Sequence, residues 1–141
     1  MLQLVTHPLV HECLAELRDK RTPPERFRAL TNRISVLLGA EALRDLPTTE
    51  DSVETPLGPA PCRRIAADVV VAPVLRAGLG MLPGMLELVP YARVGHLGLQ
   101  RDERTAIASQ YYAKLPPNIA DSYVLLIDPM LATGEIGRAH V

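Results

Sequence analysis

Residues Val69, Val70, Val71, Ala72, Pro73, Val74 and Leu75 form an unbroken apolar run, with no polar residue at alternate positions. A strand with one face in water alternates apolar and polar side chains. A run of this kind therefore belongs to a strand covered on both faces, the usual state inside a parallel sheet. The segment Tyr123, Val124, Leu125, Leu126, Ile127 reads the same way, and residues 92–99 make a further strand between the two. Parallel neighbours need a crossover connection, and residues 78–89 predict its helix, weakened by Pro83 and Gly84. These features predict an α/β fold on a mostly parallel sheet flanked by helices.

Two helices are predicted ahead of the sheet. After His7 and Pro8, apolar residues at Leu9, Val10, Cys13, Leu14 and Leu17 fall on one helical face, with Glu12, Glu16, Arg18 and Lys20 on the solvated side. Thr22 stands three before Glu25 and is followed by Pro23 and Pro24, a pattern that predicts an N-cap at Thr22. Phe27, Leu30, Ile34, Leu37 and Leu38 supply the apolar stripe of the second helix, which runs to about Leu43. Residues 47–61 are rich in Pro, Thr and Gly and predict a peripheral hairpin of residues 52–55 and 62–65 turning at Leu57, Gly58 and Pro59. Between residues 101 and 120 the chain becomes polar, and residues 109–114 read as a short strand or arm ending at Pro116 and Pro117.

Composition narrows the function classes. Fifteen Lys and Arg against sixteen Asp and Glu give a net charge of −1, without the basic excess of most nucleic-acid binders. The apolar stretch at residues 69–89 is broken by Arg76, two prolines and three glycines, so no membrane span is expected. The first residues lack the pattern of a secretory signal. Cys13 and Cys62 fit no metal or redox spacing and read as free thiols in a reducing cytoplasm. His7, His11 and His96 are dispersed and suit surface or packing roles, and no metal site is expected in the protein itself.

The chemistry concentrates where the strands end. Ile127 leads into Asp128, Pro129, Met130, Leu131, Ala132, Thr133 and Gly134. Backbone amides of a Thr/Gly loop after a parallel strand can surround a phosphate, and an acid at the strand end can accept hydrogen bonds from vicinal hydroxyls. Together they suit a ribose 5-phosphate, although an ordinary strand-to-helix turn has the same bare pattern. Arg76, in the glycine-rich turn after the first buried strand, can reach the same crevice and meet anionic oxygens, or can pair with an acid in a packing turn. Arg101 also follows a strand, but a lone Arg in the charge cluster Arg101, Asp102 and Glu103 is more commonly a solvated charge.

With these segments in place the chain resembles uracil phosphoribosyltransferases, members of the type I phosphoribosyltransferase fold. The resemblance rests on Asp-Pro-Met-Leu-Ala-Thr-Gly at 128–134, Val-Leu-Arg-Ala-Gly-Leu-Gly-Met at 74–81 and Tyr-Tyr-Ala-Lys-Leu-Pro at 111–116. His7 to Val10 and the Arg26, Phe27, Arg28 triplet extend it. Relatives acting on other bases usually carry two adjacent acids where this chain has Asp128 and Pro129. The resemblance implies transfer of ribose 5-phosphate from 5-phospho-α-ribose 1-diphosphate (PRPP) to N1 of uracil, giving UMP and diphosphate, with Mg²⁺ carried mainly on PRPP. It also implies that Arg76 and Arg101 hold the diphosphate, that Asp128 and residues 129–134 hold the ribose 5-phosphate, and that the full-length protein is a homo-oligomer.

The chain also departs from the family pattern. Glu135 and Ile136 stand where the family loop continues with a small residue and a hydroxyl residue, and a carboxylate there would repel the 5-phosphate. The family's uracil-recognition segment has no counterpart in this chain. Residues 135–141 match one reading frame of a common sequencing adapter, so the expected organisation is one phosphoribosyltransferase domain over residues 1–134 followed by a non-native tail. The 141-residue product is expected to be inactive. Two further readings stand beside the enzyme: a PRPP-binding regulatory module of the same fold without catalysis, and a phosphoribosyltransferase for another base.

Overall fold

The computed structural model describes residues 2–101 and 108–130. Helix α1 (Pro8–Arg18) and helix α2 (Pro24–Ala42) come first. Val10 and Cys13 of α1 meet Leu30 and Ile34 of α2 in a buried seam. Phe27, predicted for the same stripe, is 47% exposed, because a helix pair offers one seam and Leu30 and Ile34 occupy it.

The helix starts differ from expectation. Helix α1 is capped by His7, whose Nδ1 accepts from the Leu9 amide at 3.2 Å. Thr22 does not cap α2. Its hydroxyl instead donates to the Glu16 carbonyl at 2.5 Å, a second donor on the oxygen that already accepts the Asp19 amide at the end of α1, and Pro23 precedes α2 without a side-chain cap. Glu16 itself accepts from Arg26 Nε at 2.8 Å and Nη2 at 2.6 Å, so it ties the helices together rather than merely facing water.

The predicted hairpin is present and longer than expected. Strands β1 (Thr48–Thr55) and β2 (Gly58–Ile65) pair antiparallel along their whole length around a turn at Pro56 and Leu57. Pro59 and Pro61 are tolerated in β2 because a two-stranded ribbon leaves one edge of each strand without a ladder. Most of the ribbon is exposed, and Leu57 stands fully in solvent.

The main sheet is built around β3 (Val69–Leu75), the continuous apolar run, of which Val69 to Val74 are buried. On one side β3 pairs in parallel with β4 (Arg93–Val94) and β5 (His96–Arg101), and on the other with β7 (Tyr123–Ile127). Strand β6 (Ala108–Lys114) pairs antiparallel with β5. The polar excursion read as a strand or arm is therefore an edge strand of the sheet itself. The crossover splits at Pro83, which lacks an amide hydrogen and sits in the first turn of a new helix, into a 3₁₀ turn (Ala77–Gly80) and α3 (Leu82–Leu88). Gly84 does not weaken this helix so much as let it approach α2: a Cβ there would lie 2.5 Å from the Asn32 carbonyl oxygen.

Met85 of helix α3, with Met81 just before the helix, covers Val71 of β3 and Ile127 of β7. Met85 is 2% exposed, so Met85→Ala is expected to lower unfolding free energy by about 3 kcal/mol in urea titration. A loss under about 1 kcal/mol would show that the site collapses around the gap.

At the amino edge of the sheet, Asp68 accepts from Arg93 Nε at 3.1 Å, from Arg93 Nη2 and from Ser122 Oγ at 2.7 Å. These groups join the starts of β3, β4 and β7. Hydrogen bonds from Arg93, then Ser122, hold the Asp68 carboxyl below the usual carboxylate range. A carboxyl depressed in the folded state stabilises fully above its unfolded value, near pH 4, and loses that contribution as pH falls through the lower folded value. Stability should thus decline below about pH 4, and Asp68→Asn should flatten that acid limb of the urea midpoint against pH.

Candidate active site at the strand ends

Three neighbouring parallel strands bring the sequence-predicted residues to one edge of the sheet. Pro73 of β3 lies opposite Ile127 of β7, so Asp128 follows immediately beside the end of β3. Leu75 lies opposite Gly98 of β5, and β5 runs on to Arg101. Arg76 follows β3, between the other two. The chain passes from β3 to β4 and β5 on one side and returns to β7 on the other, which makes this edge a topological switch point. Open α/β sheets leave a ligand crevice at such a point, outside the strand carboxyl ends.

The Arg76 turn and the Asp128 turn are locked together by Gly78. A Cβ on Gly78 would lie 2.5 Å from the Ile127 carbonyl oxygen and 3.1 Å from Pro73 Cα. No other residue fits without separating the two strand ends. The turn is closed by Leu79 N donating to Arg76 O at 3.1 Å and Met81 N to Gly78 O at 3.0 Å, and the Leu75–Arg76 peptide bond is cis.

Arg76 is exposed and forms no ion pair among the described residues, whereas Arg21, Arg26, Arg44, Arg64 and Arg93 each have an acidic partner. The packing-turn alternative needed such a partner. Asp128 Oδ1 accepts from the Met130 amide at 3.0 Å, which shapes the start of the loop. Its other oxygen has no hydrogen-bond partner among the described residues and suits a sugar hydroxyl. Pro129 and Met130 are exposed beside it. Arg101 is placed only as the end of β5, and Leu131, Ala132, Thr133, Gly134 and the tail at 135–141 lie outside the described residues.

Sequence reasoning missed two features here. One is the contact at Gly78, which depends on register between strands far apart in sequence. The other is a bulge opposite Gly98: Gly98 pairs with Tyr112 but Leu99 pairs with Gln110, leaving Tyr111 as the extra residue. Regular alternation would put Tyr111 and Tyr112 on opposite faces. In the bulge, a Cβ on Gly98 would meet Tyr111 Cζ at 2.6 Å and Tyr112 Cβ at 2.8 Å, so both tyrosines approach the same face of Gly98.

A depression of about 560 Å³ at the turn between α1 and α2 is lined by Glu16, Asp19, Arg21 and Arg26 among others. None of the strand-end residues lines it, and its arginines are already paired with its acids.

A mostly parallel sheet flanked by helices, with its candidate ligand residues at the strand carboxyl ends, is the fold of the type I phosphoribosyltransferases, as the sequence led us to expect. The profile of the uracil phosphoribosyltransferases matches residues 4–140, and the chain belongs to that family. The uracil phosphoribosyltransferase of Thermus thermophilus is 51% identical over 134 residues, which are 94% of this chain and 64% of the relative. That of Symbiobacterium thermophilum is 49% identical over 132 residues, 93% of this chain and 63% of the relative. The chain thus spans less than two thirds of the length of these relatives. A solved structure of an Aquifex aeolicus protein superposes with a TM-score of 0.89 at 35% identity, covering 99% of this chain and 67% of that one. No described helix is long and apolar enough to cross a membrane.

Proposed function

We propose that the full-length protein transfers ribose 5-phosphate from PRPP to N1 of uracil, producing UMP and diphosphate. The observation that carries this reading is the convergence at one crevice of a strand-end carboxylate, Asp128, and an exposed guanidinium, Arg76, that has no acidic partner among the described residues. Asp128 and residues 129–134 are assigned to the ribose 5-phosphate, and Arg76 and Arg101 to the diphosphate.

The residue types suit the reaction. As the bond from ribose C1 to the diphosphate oxygen breaks, positive charge develops on the ribose and negative charge on the leaving group. The bond from C1 to uracil N1 then forms, and N1 gives up its proton to the departed diphosphate or to water. Such a reaction needs positioned substrates and a stabilised leaving group rather than a protein nucleophile. Arg76 supplies fixed positive charge for the diphosphate, and Asp128 orients the sugar through its hydroxyls.

Mg²⁺ is assigned to PRPP. Among the described residues no three His, Cys, Asp or Glu side chains gather into a metal site, and the crevice offers the single carboxylate of Asp128. That donor set fits an ion that keeps several waters and takes other ligands from phosphate oxygens. When bound, the ion neutralises charge on the departing diphosphate.

Three further points belong to the same reading. The protein acts as a homo-oligomer, supported by the exposed ribbon of β1 and β2 with Ile65 and Leu57 in solvent. It works in the cytoplasm, in keeping with the free thiols of Cys13 and Cys62. Residues 135–141 are assigned to a non-native tail on their match to a sequencing adapter, and the profile match that runs on to residue 140 is the observation against that assignment. Native DNA across codons 135–141 would overturn the last point. The test of the main reading is PRPP-dependent UMP formation by the full-length protein, with hypoxanthine and orotate as competing bases. Turnover with uracil alone supports it. Absence of PRPP binding in calorimetry with Mg²⁺ present overturns it.

A further inference from the structure

The bulge at Gly98 does more than bend an edge strand. Tyr111 is the extra residue on β6, yet its ring is not in the core: the side chain is 52% exposed. The ring reaches across β5 instead. Its far end lies on Gly98, with Cζ 2.6 Å and Cε2 2.7 Å from where a Cβ would be. Gly98 is thus a notch that any larger residue would fill. The next strand beyond Gly98 is β3, and the residue level with Gly98 there is Leu75, immediately before Arg76. The phenol oxygen is carried on Cζ and continues the ring's axis past Gly98, and Arg76 follows the β3 residue level with Gly98. That hydroxyl has no partner among the described residues. A neutral donor beside an exposed guanidinium is suited to an anionic oxygen that the guanidinium also holds. Bulges are enriched beside ligand sites because they re-aim one side chain without disturbing the ladder on either side.

We propose that Tyr111 is a PRPP-contacting residue, its hydroxyl donating a hydrogen bond to the diphosphate held at Arg76, with Gly98 as the seat that lets the ring lie across β5. This assignment rests on the proposed phosphoribosyl transfer. The test uses the full-length protein and two single variants, Tyr111→Phe and Gly98→Ala, each confirmed as folded by circular dichroism. PRPP with Mg²⁺ is titrated calorimetrically, and KM values for PRPP and uracil are measured separately. Tyr111→Phe removes only the hydroxyl, and the loss of one hydrogen bond to a charged group is expected to weaken PRPP binding about tenfold or more while leaving the uracil KM within about twofold. Gly98→Ala displaces the ring and is expected to weaken PRPP binding at least as much. If the unsubstituted protein binds PRPP and Tyr111→Phe binds it equally well, the Tyr111 contact is refuted while the transferase reading stands. Equal loss for both substrates would likewise refute a contact specific to the diphosphate. If the unsubstituted protein binds no PRPP, the transferase reading itself fails.

Discussion

Arg76→Ala in the full-length protein is expected to lower kcat/KM for PRPP by about 10²- to 10³-fold, the cost of removing a fixed charge that meets charge developing in the transition state. The side chain is exposed and unpaired among the described residues, so its truncation opens no cavity and orphans no buried acid. The urea midpoint should therefore stay within experimental error of the parent. Arg76→Lys should recover only part of the loss, because an ammonium cannot present two parallel donors to one phosphate. Arg18→Ala, at an exposed arginine of α1, serves as the comparison and should leave kcat/KM unchanged. A fall of less than about tenfold for Arg76→Ala would remove this residue from the diphosphate site.

Gly78→Val is expected to damage both stability and binding. A Cβ at 78 meets the Ile127 carbonyl oxygen at 2.5 Å and Pro73 at 3.1 Å, and these are main-chain and ring atoms that cannot rotate away. Relief requires β3 and β7 to part where Arg76 and Asp128 emerge. Forced overpacking of this kind costs about 1–3 kcal/mol, read as a lower urea midpoint, with the branched Val at the upper end. PRPP affinity should fall by more than the stability loss implies, since a displacement of about 1 Å at a positioned group can cost about 100-fold. Gly78→Ala should show the same pattern at smaller amplitude. Retention of parental PRPP affinity in Gly78→Val would mean that the two strand ends need not be held together.

These two residues show where the sequence was and was not sufficient. Strand β3 was legible because residues 69–75 include no polar side chain to place in water, and burial on both faces leaves only a parallel interior strand. The same rule found β7 but misjudged its cover, since among the described residues β7 pairs only with β3, and Val124 and Leu126 are 43% and 40% exposed. Asp128 and Arg76 followed from them, since each is the first charged residue after such a strand. Gly78 could be read as part of a glycine-rich turn, but its contact with Ile127 depends on a pairing between residues 73 and 127 that no local pattern encodes. The bulge at Tyr111 was hidden for a related reason: period-two alternation assumes an uninterrupted ladder, and an adjacent Tyr pair opposite a Gly is a weak local hint of the extra residue. Thr22 was a competition between two acceptable partners, the amides of α2 and the last carbonyls of α1. The chain reversal after Arg18 brings the second within 2.5 Å. The His7 cap had a visible signal, a side-chain acceptor directly before a proline in the first helical turn, that a search restricted to Ser, Thr, Asp and Asn passes over.

The position of β3 between β5 and β7 also affects how the chain is made. Val69 to Pro73 find their second neighbour in Tyr123 to Ile127, so one whole side of the most apolar strand waits until that later segment has left the ribosome. At elongation rates of about 5–20 residues per second the interval lasts on the order of a few seconds, far longer than hydrophobic collapse. During that time the nascent chain exposes an unsatisfied β-edge of valines, the kind of segment that holding chaperones cover and that crowded polysomes can join to one another.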